Sequence, residues 1–390
     1  MIYISIDNDH QGAFALTLIE KLRLARDEIT FISLNATRNN IVPASGMAQR
    51  LVTCHPLCDG SSYKNPLTYL RSFFHQVRLS RSFEFCADDV LILNTEYQIN
   101  NAFLAKHMRQ SGGSIFLYDE GISFYFNNSP YYDQHVTSGD RFFLTFYNLA
   151  FKVLGIPARA RKGFEGRMYV RINPAYIDRI YLRMRLPVSR EEPIEGYRNF
   201  LADTRFTEPT DPETVIFFAT NLTAYGLKDQ EILLSRKVIA HLSATFKNVL
   251  VKIHPADCAE QNEIYLMYQS LVGTHLNLKL IDNSIVGNDA IRQFRPRIVV
   301  GTVGATLFDA FSFGCQTVFL FPLLDLVSEF DICRYTLNRL SYNFIRSVEE
   351  IRPEYQSGVH VESILYSDEL KWDRKKGMRD KSCQATAPRR

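Results

Sequence analysis

The chain alternates short apolar runs, rich in β-branched and aromatic residues, with longer segments whose apolar positions recur at helical spacing. The short runs predict strands at 2–6, 29–34, 89–94, 114–118, 214–219, 248–253, 276–281, 297–301 and 316–321. The longer segments predict helices such as 11–25, 64–80, 97–110, 227–244, 258–272 and 304–314. Regular alternation of strand and helix is typical of parallel sheets wrapped by helices, so the sequence predicts an α/β fold.

Length and composition favour two globular units. A chain of 390 residues with 46% hydrophobic residues can build two cores. Four prolines and few strand formers between 187 and 213 are typical of a linker, and the cleft between the two units is then the expected site. The basic end of the chain has little to bury, and we expect disorder there. The predicted segments are a first domain over 1–190, a linker over 191–212, a second domain over 213–345, a C-terminal extension over 346–370 and a disordered tail over 371–390.

Charge and cysteine content exclude several classes of protein. The formal net charge is only +3, and no dense Lys/Arg stripe interleaved with aromatic residues is present, so nucleic acid is not a predicted partner. Seven cysteines form no CxxC pair, which argues against a zinc ribbon or a disulfide framework. The N-terminus lacks the basic and apolar regions of a signal peptide, and polar residues such as Asp309 and Asp325 interrupt the most apolar region, 298–327. We predict a soluble cytosolic protein.

One apolar run ends in two carboxylates. Residues 116–121 read FLYDEG, so Asp119 and Glu120 directly follow a predicted strand. In parallel α/β sheets ligands bind beyond the carboxyl ends of the strands, and Gly121 permits a tight turn there. These carboxylates are candidates for ligand contact; capping of the next helix is the alternative.

A strand in the second half ends in a histidine. Residues 248–255 read NVLVKIHP, and Pro255 keeps His254 extended. Lys252 lies two residues earlier and therefore on the same side of the strand. A single histidine is more often structural, but polar strand ends in both halves together indicate a shared site.

A third stretch predicts an anion site. Residues 297–310, RIVVGTVGATLFDA, read as a strand, a loop of small residues and a helix that begins near Gly304 to Thr306. Free N–H groups and the positive dipole end of such a helix bind anions, and Thr302 or Thr306 can add a hydroxyl. The stretch is neither a Walker loop nor GxGxxG, and close packing is the alternative role. Together the three stretches suit transfer of a group from a nucleotide-activated donor.

In their order and strand-end context these stretches resemble the motifs of bacterial sialyltransferases and polysialyltransferases. That family carries a D/E-D/E-G motif, an HP motif and a small hydroxyl-rich motif in a GT-B fold, in which two Rossmann-like domains face each other across a cleft. The resemblance spans about residues 1–345. This chain departs from the family where Ala305-Thr306 replaces two adjacent hydroxyl residues, so only Thr306 is carried over with its family role. The matching residues are Asp119-Glu120-Gly121, His254-Pro255 and Gly301 to Thr306.

The resemblance implies an inverting transfer of sialic acid from CMP-sialic acid to a glycan hydroxyl, without a metal or other cofactor. Glu120 is then the general base, with Asp119 as second choice, and His254 stabilises the leaving phosphate. Asp282, in LKLIDNS, matches a family carboxylate that holds the donor ribose; a helix cap is its alternative role. The donor-binding residues implied are Lys252, Pro255, Asp282, Thr302, Gly304 and Thr306.

The segment 151–190 bears on the acceptor. It holds ten Lys/Arg against Glu165 and Asp178, a balance that attracts a polyanion or an anionic membrane unless the segment is only a solvated helical face. A growing polysialic acid, a capsule or lipooligosaccharide chain, or a glycolipid at the inner membrane face are the acceptors this favours. The aromatic segment 124–132 could stack on sugar rings or pack in the core. The predicted acceptor-binding residues are Arg159, Arg161, Lys162, Arg167 and Arg171.

Two other functions remain open from the sequence. One is a GT-B transferase of capsule synthesis that uses a CMP-linked octulosonic acid or a CDP-linked polyol, which would keep the HP motif and the phosphate loop. The other is a non-catalytic glycan-binding protein of the same fold. Linkage, chain-length control and oligomeric state are not predicted.

Overall fold

The computed structural model describes most of both predicted domains. The described residues are 1–33, 50–53, 74, 77–78, 81–119, 125, 136–162, 168–187, 192–197, 210–259, 261–324, 331–366, 370 and 372.

The described part of the first half is built on a parallel sheet. Its strands are β1 (Ile2–Ile6), β2 (Ile29–Ser33), β3 (Arg50–Thr53), β4 (Val90–Leu93), β5 (Ser114–Tyr118), β8 (Arg179–Leu182) and β9 (Ile194–Gly196). They lie in the order β3-β2-β1-β4-β5-β8-β9, and each neighbouring pair is parallel. The longer helices of this half are α1 (Asp9–Leu22), α2 (Ile99–Gln110) and α3 (Ser138–Val153). An antiparallel hairpin of β6 (Ala158–Lys162) and β7 (Met168–Ile172) follows α3.

The second half repeats the architecture on a smaller scale. Its strands are β10 (Asp211–Phe218), β11 (Asn248–Lys252), β12 (Leu278–Leu280), β13 (Pro296–Gly301) and β14 (Gln316–Phe319). The order β12-β11-β10-β13-β14, all parallel, is that of a Rossmann-type half, in which the order reverses beside the first strand. Its helices are α4 (Lys228–Thr245), α5 (Glu263–Thr274), α6 (Gly287–Phe294), α7 (Ala305–Ser312), α8 (Asp331–Arg339) and α9 (Val361–Ile364).

The strands are apolar because both faces of each sheet are covered. In β10, Ile216 and Phe218 point to one hydrophobic cluster while Val215 and Phe217 point to a second. The first cluster also contains the core of the first half, such as Ile4, so apolar packing is continuous from one domain to the other. Burial on both faces explains why these strands read as unbroken apolar runs in the sequence.

The chain crosses back to the first domain near its end. The N–H of Arg185 donates to the carbonyl oxygen of Ile364 at 2.8 Å. The Tyr366 ring packs where a side chain on Gly196 would stand, since a Cβ there would lie 2.0 Å from the ring. Trp372 meets the Phe116 ring edge-on, with centroids 5.8 Å apart. The last residues of the predicted extension therefore pack on the first sheet, whereas Val348 and Ile351 at its beginning belong to the core of the second domain. Trp372, within the tail predicted to be disordered, also packs on the first sheet.

The α/β class with two Rossmann-like domains is confirmed, whereas several elements differ from the prediction. The sequence patterns did not predict β3, β8, β9, the β6–β7 hairpin, α3 or α6. Strand β9 lies inside the predicted linker and extends the first sheet to Gly196, because its pairing with β8 outweighs the weak strand propensity of IEG. Most of the predicted helix 64–80 lies outside the described residues. No helix in the described ranges is long and apolar enough to span a membrane.

Candidate active site

Asp119 is held at the carboxyl end of β5 and is fully buried. Its N–H donates to the carbonyl oxygen of Tyr181 in β8 at 2.9 Å, so sheet pairing continues up to the carboxylate. Its Oδ2 accepts hydrogen bonds from the Tyr125 hydroxyl at 2.5 Å and from the Arg183 N–H at 3.4 Å. A carboxylate enclosed by protein donors suits a positioning role better than that of a base that meets the acceptor.

Arg183 joins the two domains. It directly follows β8 and is 2% exposed. Its Nε lies 3.3 Å from Oδ2 of Asp119, and its Nη1 donates to Oδ1 of Asp309 at 2.6 Å. Asp309 belongs to α7 of the second domain and also accepts from the Asn288 amide at 3.0 Å. One buried cation therefore bridges a strand end of the first sheet to the helix that follows β13.

The surroundings of Arg183 favour its charged form. Burial opposes a charge there, but Asp119 and Asp309 outweigh this, so the pKa of Arg183 is raised. The guanidinium also lies over the Phe14 ring, 3.8 Å from its centroid. Tyr125 completes the network: its hydroxyl accepts from the Met184 N–H at 3.0 Å, and burial followed by Asp119 raises its pKa well above the ordinary value.

Glu120 and Gly121, the rest of the first motif, lie outside the described residues. So do most residues of the aromatic segment 124–132. Of that segment, Tyr125 is buried and binds Asp119. The assignment of Glu120 as base therefore remains a prediction. The structure fixes only the position of the preceding residue, Asp119.

His254 lies at the carboxyl end of β11 with its ring exposed. Its Nδ1 accepts a hydrogen bond from the Ala256 N–H at 3.2 Å, which caps the short 3₁₀ helix Pro255–Asp257. In the neutral ring the proton is then on Nε2, which is left as a donor. The surrounding protein desolvates the imidazole and lowers its pKa, although Asp257 opposes the shift. These surroundings favour the neutral imidazole.

Two buried carboxylates lie behind the HP motif. Burial and then Asp257 raise the pKa of Glu231 to about 7. Its Oε2 accepts from the Leu222 N–H at 2.9 Å, in the turn that follows β10. Burial also raises the pKa of Asp257, while His254 lowers it. The carboxylates buried behind His254 thus include Glu231, whose pKa is raised to near neutrality.

Lys252 and Asp282 take local partners. Lys252 is 6% exposed, and its Nζ donates to the carbonyl oxygens of Asp282 and Asn283 at 3.1 and 3.3 Å. Burial lowers its pKa. The Asp282 carboxylate accepts from the N–H and hydroxyl of Ser284, which lower its pKa, and its side chain is exposed. Lys252 therefore ties β11 to the loop after β12, and Asp282 caps a turn while remaining accessible at the sheet edge.

The predicted anion site contains two helix N-termini. Helix α7 begins at Ala305 after Gly304, whose φ of 155° favours glycine, and neither α7 nor α6 has a side-chain cap. A Cβ on Gly287, the first residue of α6, would lie 3.1 Å from the Thr306 hydroxyl, so the two helix starts approach closely. Thr302 is buried, whereas Thr306 is partly exposed. The uncapped N-termini of both helices therefore lie close to each other near Thr306.

The strand order aligns these groups along one edge. Because β12, β11, β10 and β13 are neighbours, Asp282, His254, Thr220 and Thr302 follow adjacent strands. Thr220 donates through Oγ1 to the carbonyl oxygen of Val303 at 3.1 Å and so connects two of these loops. Within the described ranges, no three His, Cys, Asp or Glu side chains lie close enough to hold a metal ion.

A basic cavity of about 510 Å³ lies elsewhere, between α3, the β6–β7 hairpin and the 3₁₀ turn Pro174–Tyr176. Arg159 and Arg171 are cross-strand partners in the hairpin. The arginines of the basic segment 151–190 that line the cavity therefore lie on a β-hairpin and not on the helical face considered from the sequence. The cavity includes three predicted acceptor-binding residues; Lys162 instead pairs with Asp140 at 2.8 Å, and Arg167 lies outside the described residues. The lining residues are Asn148, Lys152, Ile156, Pro157, Ala158, Arg159, Arg161, Arg171, Ile172, Asn173, Pro174 and Tyr176.

Several groups of the site were not predicted. The sequence patterns did not predict the joint roles of Arg183 and Asp309, the hydrogen bond of Tyr125 to Asp119, the link made by Thr220 or the N-terminus of α6. An arginine after the apolar run IYL, and FFAT at the end of β10, follow the same rule of polar residues at strand ends and were available as signals.

Solved structures share this architecture. The chain aligns with the S. aureus MnaA–UDP co-structure at 10% identity and a TM-score of 0.51, covering 93% of this chain and 94% of that one. It aligns with the glycotransferase of kitacinnamycin at 11% identity and a TM-score of 0.51, covering 90% and 87%. The comparison with curated proteins gives no match. At such identities the likeness shows the fold, and the fold is of the GT-B type.

The family follows from a sequence model. The model of alpha-2,8-polysialyltransferases (POLYST) matches residues 55–320, more than half of the chain, and this range contains all three predicted motifs. Fold and family together define a glycosyltransferase. The chain belongs to the alpha-2,8-polysialyltransferase family, which confirms the resemblance noted from its motifs.

Proposed function

We propose that the protein transfers sialic acid from CMP-sialic acid to a hydroxyl of an acidic glycan, with inversion and without a metal or other cofactor. The observation that carries the proposal is the alignment along one sheet edge of an exposed histidine donor and two adjacent, uncapped helix N-termini. Such a set stabilises the charge that develops on a leaving phosphate.

The donor phosphate would lie between His254 and the start of α7. The Nε2–H of His254 donates to a phosphate oxygen, and a bound anion raises the pKa of the imidazole from its lowered value. Backbone N–H groups near Gly304 and the Thr306 hydroxyl complete the contacts. Asp282 is exposed after β12, which two strands separate from β13, and it is placed to accept from a ribose hydroxyl. The MnaA structure carries UDP, and the shared fold supports a nucleotide-linked donor here.

Transfer itself requires a base on the first domain. Glu120 removes the proton of the acceptor hydroxyl while that oxygen forms a bond to the anomeric carbon. The bond from the anomeric carbon to the CMP phosphate oxygen breaks, and its electron pair leaves with CMP. The proton ends on Glu120. Arg183 contributes by holding Asp119, the neighbour of the base, in fixed relation to α7.

The cavity beside α3 supports an acidic acceptor. Arg159 and Arg171 face each other across the hairpin, and like charges in that position are unfavourable unless an anion or another partner offsets them. Glu96 contacts Arg171 at 3.5 Å, and among the described residues that line the cavity there is no carboxylate that would neutralise Arg159. The described lining includes neither Asp119 nor a residue of the second domain, so the cavity would hold a distant part of a long chain. We place the protein in the cytoplasm, at the inner face of the membrane.

Release of CMP tests the donor. The protein is incubated with CMP-sialic acid, with and without a sialylated oligosaccharide primer and a chelator, and CMP and products are separated by chromatography. CMP release that persists with chelator and lengthens the primer supports the proposal. Release only from a CMP-octulosonic acid or a CDP-polyol would assign another donor, and inertness toward every donor would leave a glycan-binding protein.

A further inference from the structure

Helix α3 carries an exposed apolar stripe. Phe142 is 69% exposed, Phe146 46%, Leu149 59% and Val153 76%, and Leu154 continues the stripe at the end of the helix at 42%. The spacing of these residues places them along one face of the helix. Large apolar side chains in a contiguous exposed row mark an interaction surface, whereas isolated ones are ordinary.

The opposite face of α3 packs against the first domain, so the stripe is not needed to hold the helix in place. Leu144, Tyr147 and Phe151 are buried against the first domain. Thr137 and Asp140 form a capping box that fixes the start of the helix. The helix is thus secured by one face and its cap, and the exposed row contributes little to that packing.

The charges beside the stripe are basic. Arg141 and Lys152 are exposed, and their spacing of eleven residues places both along one side of the stripe. The acid of this helix, Asp140, is fully buried and pairs with Lys162. Arg159 is exposed at the start of the adjoining hairpin. Within α3 itself, which the structure describes throughout, no acid is exposed. An apolar row bordered by cations complements an anionic lipid surface, into which aromatic and aliphatic side chains insert while cations meet headgroups.

A second copy of the chain fits the stripe less well. In a two-fold contact the same patch meets itself, which would bring Arg141 and Lys152 of one copy near those of the other. That repulsion opposes self-association, whereas the same charges attract anionic lipid.

We propose that the exposed face of α3 docks the protein on an anionic membrane. Phe142, Phe146, Leu149 and Val153 enter the interface, and Arg141 and Lys152 contact the headgroups. Because Asn148 and Lys152 of α3 also line the basic cavity, docking places that cavity at the lipid surface. This placement suits a lipid-linked acidic acceptor, and that assignment of the acceptor rests on the proposed function. Membrane docking itself does not depend on the donor.

Vesicle flotation of the full-length protein tests the docking. Vesicles of phosphatidylcholine alone are compared with vesicles that contain phosphatidylglycerol in equal part, at low and high salt. The wild-type chain is expected to float with the anionic vesicles and to be released by salt. The double variant Phe142→Ser, Leu149→Ser is expected to lower the partition coefficient by about tenfold or more, because two inserted side chains are lost.

A matched control uses apolar residues outside α3. Leu233 and Leu276 are 73% and 103% exposed on the second domain, and Leu233→Ser, Leu276→Ser removes a similar apolar area. This variant is expected to float as the wild type does. All three proteins should melt alike and should transfer equally to a short soluble primer, so that loss of docking is separated from failure of the proposed function.

Three outcomes would overturn the proposal. The first is a wild-type chain that does not float with anionic vesicles. The second is equal flotation of the Phe142, Leu149 variant. The third is a wild-type dimer in lipid-free solution that this variant converts to a monomer, which would assign the stripe to a second copy.

Discussion

Replacement of Arg183 by methionine removes the charge that joins the two domains and keeps an unbranched side chain of similar length. Asp119 and Asp309 are 0% and 1% exposed, so neither carboxylate can recover hydration in the folded protein. Methionine can still pack on the Phe14 ring, so the loss is chiefly electrostatic.

The expected cost follows from burial. Removal of one partner of a buried ion pair costs about 3–5 kcal/mol, because the other charge is left without compensation. Here two carboxylates lose their cation, although the Tyr125 hydroxyl still donates to Asp119 and the Asn288 amide still donates to Asp309. We therefore expect a loss within that range. For a chain of this length it lowers the melting temperature by roughly 4–6 °C.

Thermal unfolding of the single and double variants tests this expectation. Arg183→Met should melt roughly 4–6 °C below the wild type. Addition of Asp309→Asn to the variant should restore part of the lost stability, since it removes one of the two buried carboxylates left without a cation.

Arg185 provides a matched control. It lies two residues further along the chain, is exposed, and contacts the Tyr366 ring at 5.1 Å. Arg185→Met should cost less than about 1 kcal/mol. This expectation is refuted if Arg183→Met costs no more than this control or if Asp309→Asn destabilises both backgrounds equally.

Four further predictions concern the site. Glu120→Gln should cut turnover by about a hundredfold or more with donor binding nearly unchanged, and comparable activity would remove the base assignment. His254→Asn keeps a side-chain acceptor for the Ala256 N–H but lacks the Nε2 donor. It should lose turnover by about a hundredfold, as should His254→Ala, whereas an active asparagine variant would show that the histidine only caps the 3₁₀ helix. Because the pKa of Glu231 is raised, the unfavourable effect of this residue on stability appears as pH rises from about 4.5 to 7. Glu231→Gln should therefore remove up to roughly 3 kcal/mol of the pH dependence of the unfolding free energy, and an unchanged pH profile would contradict the raised pKa. Arg159→Gln should raise KM for a long acidic primer by about fivefold or more without altering CMP release, and an unchanged KM would exclude the cavity from acceptor binding.

Local sequence pattern was sufficient for much of the fold. Strands such as β1 and β13 were predicted because both faces of a parallel strand are buried, which leaves an unbroken apolar run. The strand-end positions of Asp119 and His254 followed from the same runs, and so did the helix start at Ala305. The edge strand β9 escaped prediction because its three residues carry no such pattern.

What the side chains do at those positions was decided by the tertiary structure. Asp119 meets Arg183 across 64 residues, and Arg183 meets Asp309 across 126. Contacts over such distances depend on which strands are neighbours and on how the two domains meet. A one-dimensional pattern does not encode either. The sequence by itself determined that polar residues stand at the carboxyl ends of buried strands. Only the strand order of the first sheet and the packing of the domains decided that Asp119 is enclosed by an arginine while His254 remains open to a ligand.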